Sequence, residues 1–129
     1  MAKALMYTEL NAATALTENS VIPLGNIVRR FGCAINQNGN SILLKEQGYY
    51  KITVLTEFEP TAATAFIMSL QENGNIIQGI EVTPTAAGAE TETVLTAIVR
   101  VFGCQQKLLN VHIGNAGTVN RMYVVAEKM

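Results

Sequence analysis

The carboxylate, imidazole and thiol groups of this 129-residue chain are few: ten glutamates and no aspartate, one histidine and two cysteines. Glu57 and Glu59 alternate onto one face of a strand, as the acid pair of a retaining glycosidase could, but carboxylates two residues apart also commonly line a solvated strand edge. We adopt the solvated reading. Glu90 and Glu92, in PTAAGAETET, read as flexible surface. A Cys–His nucleophile requires Cys33 or Cys104 beside His112 in space, and no local motif puts either there. Two thiols and one imidazole far apart in sequence do not fill a four-ligand zinc site. His112, in LNVHIGN, is expected to be a structural side chain on a sheet surface. No phosphate-cradling glycine motif is present. The expectation is a chain that is not an enzyme, with no cofactor and no metal.

The elements that hold these groups follow from composition and punctuation. Apolar residues make up 49% of the chain and charged ones 15%, enough for one domain with a real core. Val, Ile and Thr account for 35 of 129 residues, and side chains branched at Cβ favour pleated strands over helices. The formal charge is −1, with basic residues scattered apart from Arg29 and Arg30. The clustered positive stripe of a nucleic-acid binder is missing. No apolar run approaches the ~20 residues of a membrane span, and no secretory signal is visible. Neither nucleic acid nor membrane is an expected partner. Without a signal, Cys33 and Cys104 are expected to be reduced, though a bridge between them is also compatible with the sequence.

Residues 1–19 read as an extended N-terminal arm, with a helix carrying Leu5, Ala12 and Leu16 on one side as the alternative. Residues 20–129 read as the domain. Asn and Gly pairs at 25–26, 38–40, 73–75 and 114–115 mark tight turns. Between them, period-two alternation predicts strands over 27–35, 41–44, 49–59, 63–72, 76–83, 91–102, 107–114 and 120–127. Short strands at this spacing, with no helical repeats, predict an all-β fold: a two-sheet antiparallel jelly-roll sandwich of about eight to ten strands.

Three strands carry apolar residues on both faces. Ile52, Val54, Thr56 and Phe58 share one face, with Leu55 an apolar exception on the other. Val94, Ile98 and Phe102 are assigned to the core, leaving Leu95, Ala97, Val99 and Val101 opposite. Met122, Val124 and Ala126 alternate with Tyr123 and Val125. A second apolar face needs cover, and self-association supplies it more simply than the arm of the same chain does.

The segment VIPLGNIVRRFGCAINQNGNSILLKEQGYYKITVLTEF, with its strand opening at Gly48, Tyr49 and Tyr50, resembles the tumour-necrosis-factor-like and complement-globular-head jelly rolls. FIMSLQENGNIIQG, TETVLTAIVRVF, LLNVHIGN and NRMYVVAEK continue the pattern. The chain also resembles small phage- or prophage-encoded proteins of this type, themselves similar to the heads of bacterial collagen-like surface proteins. The resemblance implies a homotrimer packed through one sheet, with the long strands and the last strand nearest the three-fold axis. Leu55, Leu95, Ala97, Val99, Tyr123 and Val125 are the residues expected at its interface, because they lie opposite the faces assigned to the core. There is no Gly-X-Y stalk, and no cytokine receptor loop can be matched.

The function expected is a structural or surface-attachment module of a virion or cell surface. Loops 37–40, 71–75, 83–92 and 115–119 carry neutral hydrogen-bonding groups, which keeps a carbohydrate- or receptor-binding head as the second reading. A small hydrolase with its site at a subunit boundary is the third. VRRFGC at 28–33 and VRVFGC at 99–104 echo each other, as chance or similar strand-end chemistry would produce; the sharper alternative pairs Cys33 with Cys104 or clusters Arg30 and Arg100 with Glu.

Overall fold

A computed structural model of the chain describes residues 3–129. Twelve strands and no helix form among the described residues: β1 (Ala4–Leu10), β2 (Thr14–Leu16), β3 (Ser20–Val21), β4 (Asn26–Phe31), β5 (Ile35–Asn38), β6 (Ser41–Leu44), β7 (Gly48–Pro60), β8 (Phe66–Glu72), β9 (Asn75–Val82), β10 (Thr91–Val101), β11 (Lys107–Ile113) and β12 (Gly117–Lys128). They build two six-stranded antiparallel sheets. The first runs β10-β7-β12-β1-β4 with β2 alongside β12; the second runs β5-β6-β11-β8-β9 with β3 alongside β11. This is the antiparallel jelly-roll sandwich that the alternation predicts.

The core lies between the sheets and is filled by every second residue of each long strand. Ile52, Val54 and Phe58 of β7 and Met122, Val124 and Ala126 of β12 face inward from the first sheet. Ile42, Leu44, Met68, Leu70, Leu109 and Val111 meet them from the second. Phe58 and Phe66 contact edge to face across the gap, with centroids 5.0 Å apart. Each such side chain contributes about 1.5–3 kcal/mol by leaving water. The Asn73–Gly74 pair, both at positive φ, turns β8 into β9, as the Asn-Gly signal predicts.

Three expectations are corrected. Residues 4–10 are not an arm outside the domain, for β1 lies inside the first sheet between β12 and β4. Met1 and Ala2, the first two residues of that expected arm, lie outside the described residues. The arm reading missed a strand whose inward positions are Ala4, Met6, Thr8 and Leu10, because Ala and Thr weaken the apolar signal. The single strand expected over 27–35 is two, broken at Gly32, whose φ of 77° ends β4 and lets the chain cross to the second sheet.

The third correction concerns β10. Leu95, Ala97, Val99 and Val101 are 4%, 6%, 3% and 0% exposed and fill the core, whereas Val94, Ile98 and Phe102 are 52%, 54% and 50% exposed. The register decides this: Leu95 stands opposite Val54 and Val99 opposite Tyr50, both buried. Leu95, Ala97 and Val99 therefore cannot meet another subunit without the sandwich opening.

Candidate functional site: an outward face on the first sheet

Alternation that sends one set of side chains inward sends the other set out, and on the first sheet the outward set mixes apolar side chains with threonines and charged groups. Glu9, Tyr123, Leu55 and Val94 form one row across β1, β12, β7 and β10. Tyr7, Val125, Thr53 and Thr96 form the next. At the β4 edge Phe31 pairs with Leu5. Eleven large apolar side chains are exposed among the described residues, and seven of them (Ile27, Val28, Phe31, Tyr49, Val94, Ile98 and Phe102) belong to or adjoin strands of this sheet. Apart from Tyr49 on β7, these side chains lie along or next to β4 and β10, the two edges of the sheet, with the half-buried Tyr7, Tyr123, Leu55 and Val125 between them, and exposed apolar groups of this size mark an interaction surface. Of the six residues expected at the interface, Leu55, Tyr123 and Val125 are brought together here, half-buried, and the three from β10 are not.

Sequence reasoning missed Tyr7 and Val94 on this face. Tyr7 packs its ring against Tyr123, and partial burial raises its phenol above the ordinary value, with Glu9 and Tyr123 adding to the effect. At one end of the face the Arg100 guanidinium lies 4.1 Å from the centre of the Phe102 ring and 5.4 Å from that of Tyr49, close enough for cation–π attraction. Tyr50, next in line, is fully buried. Its hydroxyl donates to the Glu46 carbonyl at 2.6 Å, and burial raises its pKa.

The groups considered for catalysis are dispersed. Glu57 does not act with Glu59 but stands opposite Glu92 on β10, and one carboxylate oxygen each of Glu57, Glu90 and Glu92 lies within 4.8 Å of the others. Glu90 and Glu92 are exposed, Arg121 stands opposite Glu57, and Asn120 donates to Glu90 at 3.2 Å. None of these three residues lines the cleft on the outer surface of the second sheet, which is bounded by Ser69, Gln71 and His112.

Cys33 and Cys104 are free and exposed. They follow β4 and β10, the strands at opposite edges of the first sheet. The structure forms no bridge between them. The VRRFGC and VRVFGC echo has the same source: at both edges an outward Phe is followed by a glycine at positive φ and an exposed Cys. His112 sits away from both thiols on the outer surface of the second sheet, where its neighbours are Ser69 and Val21.

No family model matches the chain, and no curated protein matches it. Solved structures do. Murine APRIL at pH 5.0 superposes with a TM-score of 0.76 at 10% identity over 98% of each chain. PRD1 vertex protein P5 gives 0.70 at 12% identity over 100% of this chain and 99% of that one. The globular domain of the zebrafish complement 1qA protein gives 0.65 at 9% identity over 98% and 96%. The fold is thus the tumour-necrosis-factor-like and complement-head-like jelly roll that the strand openings resemble. At these identities the likeness establishes the architecture alone.

Proposed function

We propose that the chain is a non-enzymatic homotrimeric jelly-roll module, serving as a structural or surface-attachment component of a phage particle or phage-derived locus. The observation that carries the reading is the outward row of Tyr123, Leu55 and Val94, flanked by Tyr7 and Val125. One chain leaves this row open to water, and a further copy of the same sheet gives it an apolar partner. Three copies follow from the resemblance to tumour-necrosis-factor-like and complement-head jelly rolls. A particle setting is supported by the likeness to a vertex protein. No helix among the described residues is long and apolar enough to cross a membrane.

Sedimentation velocity of the full chain at micromolar concentration tests the reading. The expected species has three times the 13.9 kDa chain mass, and a stable species at the single-chain mass would overturn it. The second reading, a head that binds a carbohydrate or receptor, is favoured by one feature of the other sheet, a cleft on its outer surface.

A further inference from the structure

The outer surface of the second sheet carries a cleft of about 670 Å3, within the ~300–1,000 Å3 of sites that hold small molecules. Its floor is built by register. His112 of β11, Ser69 of β8 and Gly79 of β9 lie in one row across three strands. A side chain at Gly79 would rise between Ile67 and Ile76, whose methyl carbons lie 3.2 and 3.6 Å from where its Cβ would stand. The bulge between Leu70 and Gln71 brings Ile76 opposite Gln71, and both line the cleft. The turn at Asn19 and the Gly114–Asn115 corner close one end.

The lining has a definite chemistry. It offers the amides of Gln71, Asn19 and Asn115, the Ser69 hydroxyl and the His112 ring, with aliphatic walls at Ile67 and Ile76. Glu81 is its one charged residue, and no lysine or arginine lines it. Ser69, only 2% exposed, accepts a hydrogen bond from Gln71 at 2.8 Å, which fixes both groups. His112 Nδ1 is buried without a hydrogen-bond partner.

We infer that this cleft binds a neutral sugar through His112, Ser69, Gln71 and Glu81, with the C–H face of the ring on Ile67 and Ile76. Sugar hydroxyls both donate and accept. They can donate to the Glu81 carboxylate and accept from the amides and the Ser69 hydroxyl, with the His112 ring beside them, while ring carbons cover the aliphatic walls. An anionic ligand meets the Glu81 charge with no cation to balance it. Each single chain carries the whole cleft, on the sheet opposite the proposed subunit contact, so the inference stands or falls separately from trimer formation.

Titration of the isotope-labelled full chain with glucose, galactose, mannose and glucuronate, followed by amide chemical shifts, tests it. At least one neutral hexose is expected to give saturable shifts centred on Ser69, Gln71 and His112. Glucuronate is expected to bind about tenfold more weakly than glucose, and Glu81→Gln to close most of that gap. His112→Ala and Ser69→Ala should each weaken the hexose about fivefold, the loss of one hydrogen bond, with circular dichroism confirming the fold. If one of these two variants does not fold, the other carries the comparison. Absence of shifts with all three hexoses, equal binding of glucuronate, or wild-type affinity in a folded variant would overturn the assignment.

Discussion

The rings of Tyr7 and Tyr123 meet edge to face on the outward surface of the first sheet, with centroids 6.2 Å apart and planes inclined at 66°. The two strands thus share an aromatic seam as well as a hydrogen-bonded ladder, and Leu55 continues it onto β7. A charge on this seam should act between subunits, and a charge one residue deeper should act on the fold. Leu55→Glu is expected to give a folded chain at the single-chain mass. Val99→Glu, at a position 3% exposed, should abolish folding, because an unpaired buried carboxylate costs several kcal/mol. Sedimentation and far-UV circular dichroism on the same samples separate the outcomes. A Leu55→Glu protein that still sediments as a trimer would remove Leu55 from the interface.

Thr56 and Thr93 stand directly opposite each other on the inner face of β7 and β10, and both hydroxyls are buried with no hydrogen-bond partner, as is that of Thr8. Replacing an unpartnered hydroxyl by a methyl group removes a desolvation cost while nearly keeping shape. Thr56→Val and Thr93→Val should each stabilise the protein by about 1 kcal/mol, read as a rise of ~4 °C in Tm. A fall in Tm would show that the hydroxyls are satisfied in solution.

Gly48 opens β7 at a φ of 145°, and an added Cβ would lie 3.0 Å from Lys128 Cε. Lys128 is held there by its ion pair with Glu46 at 2.8 Å. Gly48→Ala combines backbone strain with displacement of that side chain, and a loss of about 1–3 kcal/mol is expected in chemical denaturation. An unchanged midpoint would show that the strand start relaxes without cost.

Burial lowers the pKa of His112 below its ordinary 6.5, so the folded chain holds the ring neutral where the unfolded chain takes up a proton. The unfolded state then binds more protons in acid, and stability should decline as pH falls below about 6.5. It should level off once the folded protein also protonates. His112→Gln should flatten that slope in melts recorded across the acidic range. An identical slope in the variant would assign the acid sensitivity to other groups.

The sandwich was legible in the sequence because β7 alternates cleanly: Thr, Glu and Lys mark its outer face apart from Leu55, and its inner face is nearly all apolar. The same logic reversed β10, where Val94 and Ile98 are as apolar as Leu95 and Val99. With both faces apolar, the sequence carries no signal of which one points inward, and only the pairing with β7 resolves it. That reversal misplaced half of the expected interface. Tyr7 was lost with β1, whose small and polar inward residues hide a strand. The cleft at His112 depends on a register across three strands and on the β8–β9 bulge, and neither can be read from one segment alone.

Ala4 and Lys128 are paired partners in adjacent strands, and the Lys3 amide donates to the Lys128 carbonyl at 2.8 Å. Both ends of the chain therefore leave from a single pole of the sandwich. Loops 61–65 and 83–90, tied together where Gly88 donates to Pro60, crown the other. Whatever is fused or tethered at either terminus pulls from that one pole, so three copies around an axis would all present their loop crowns away from the anchor, like cups stood on a common base.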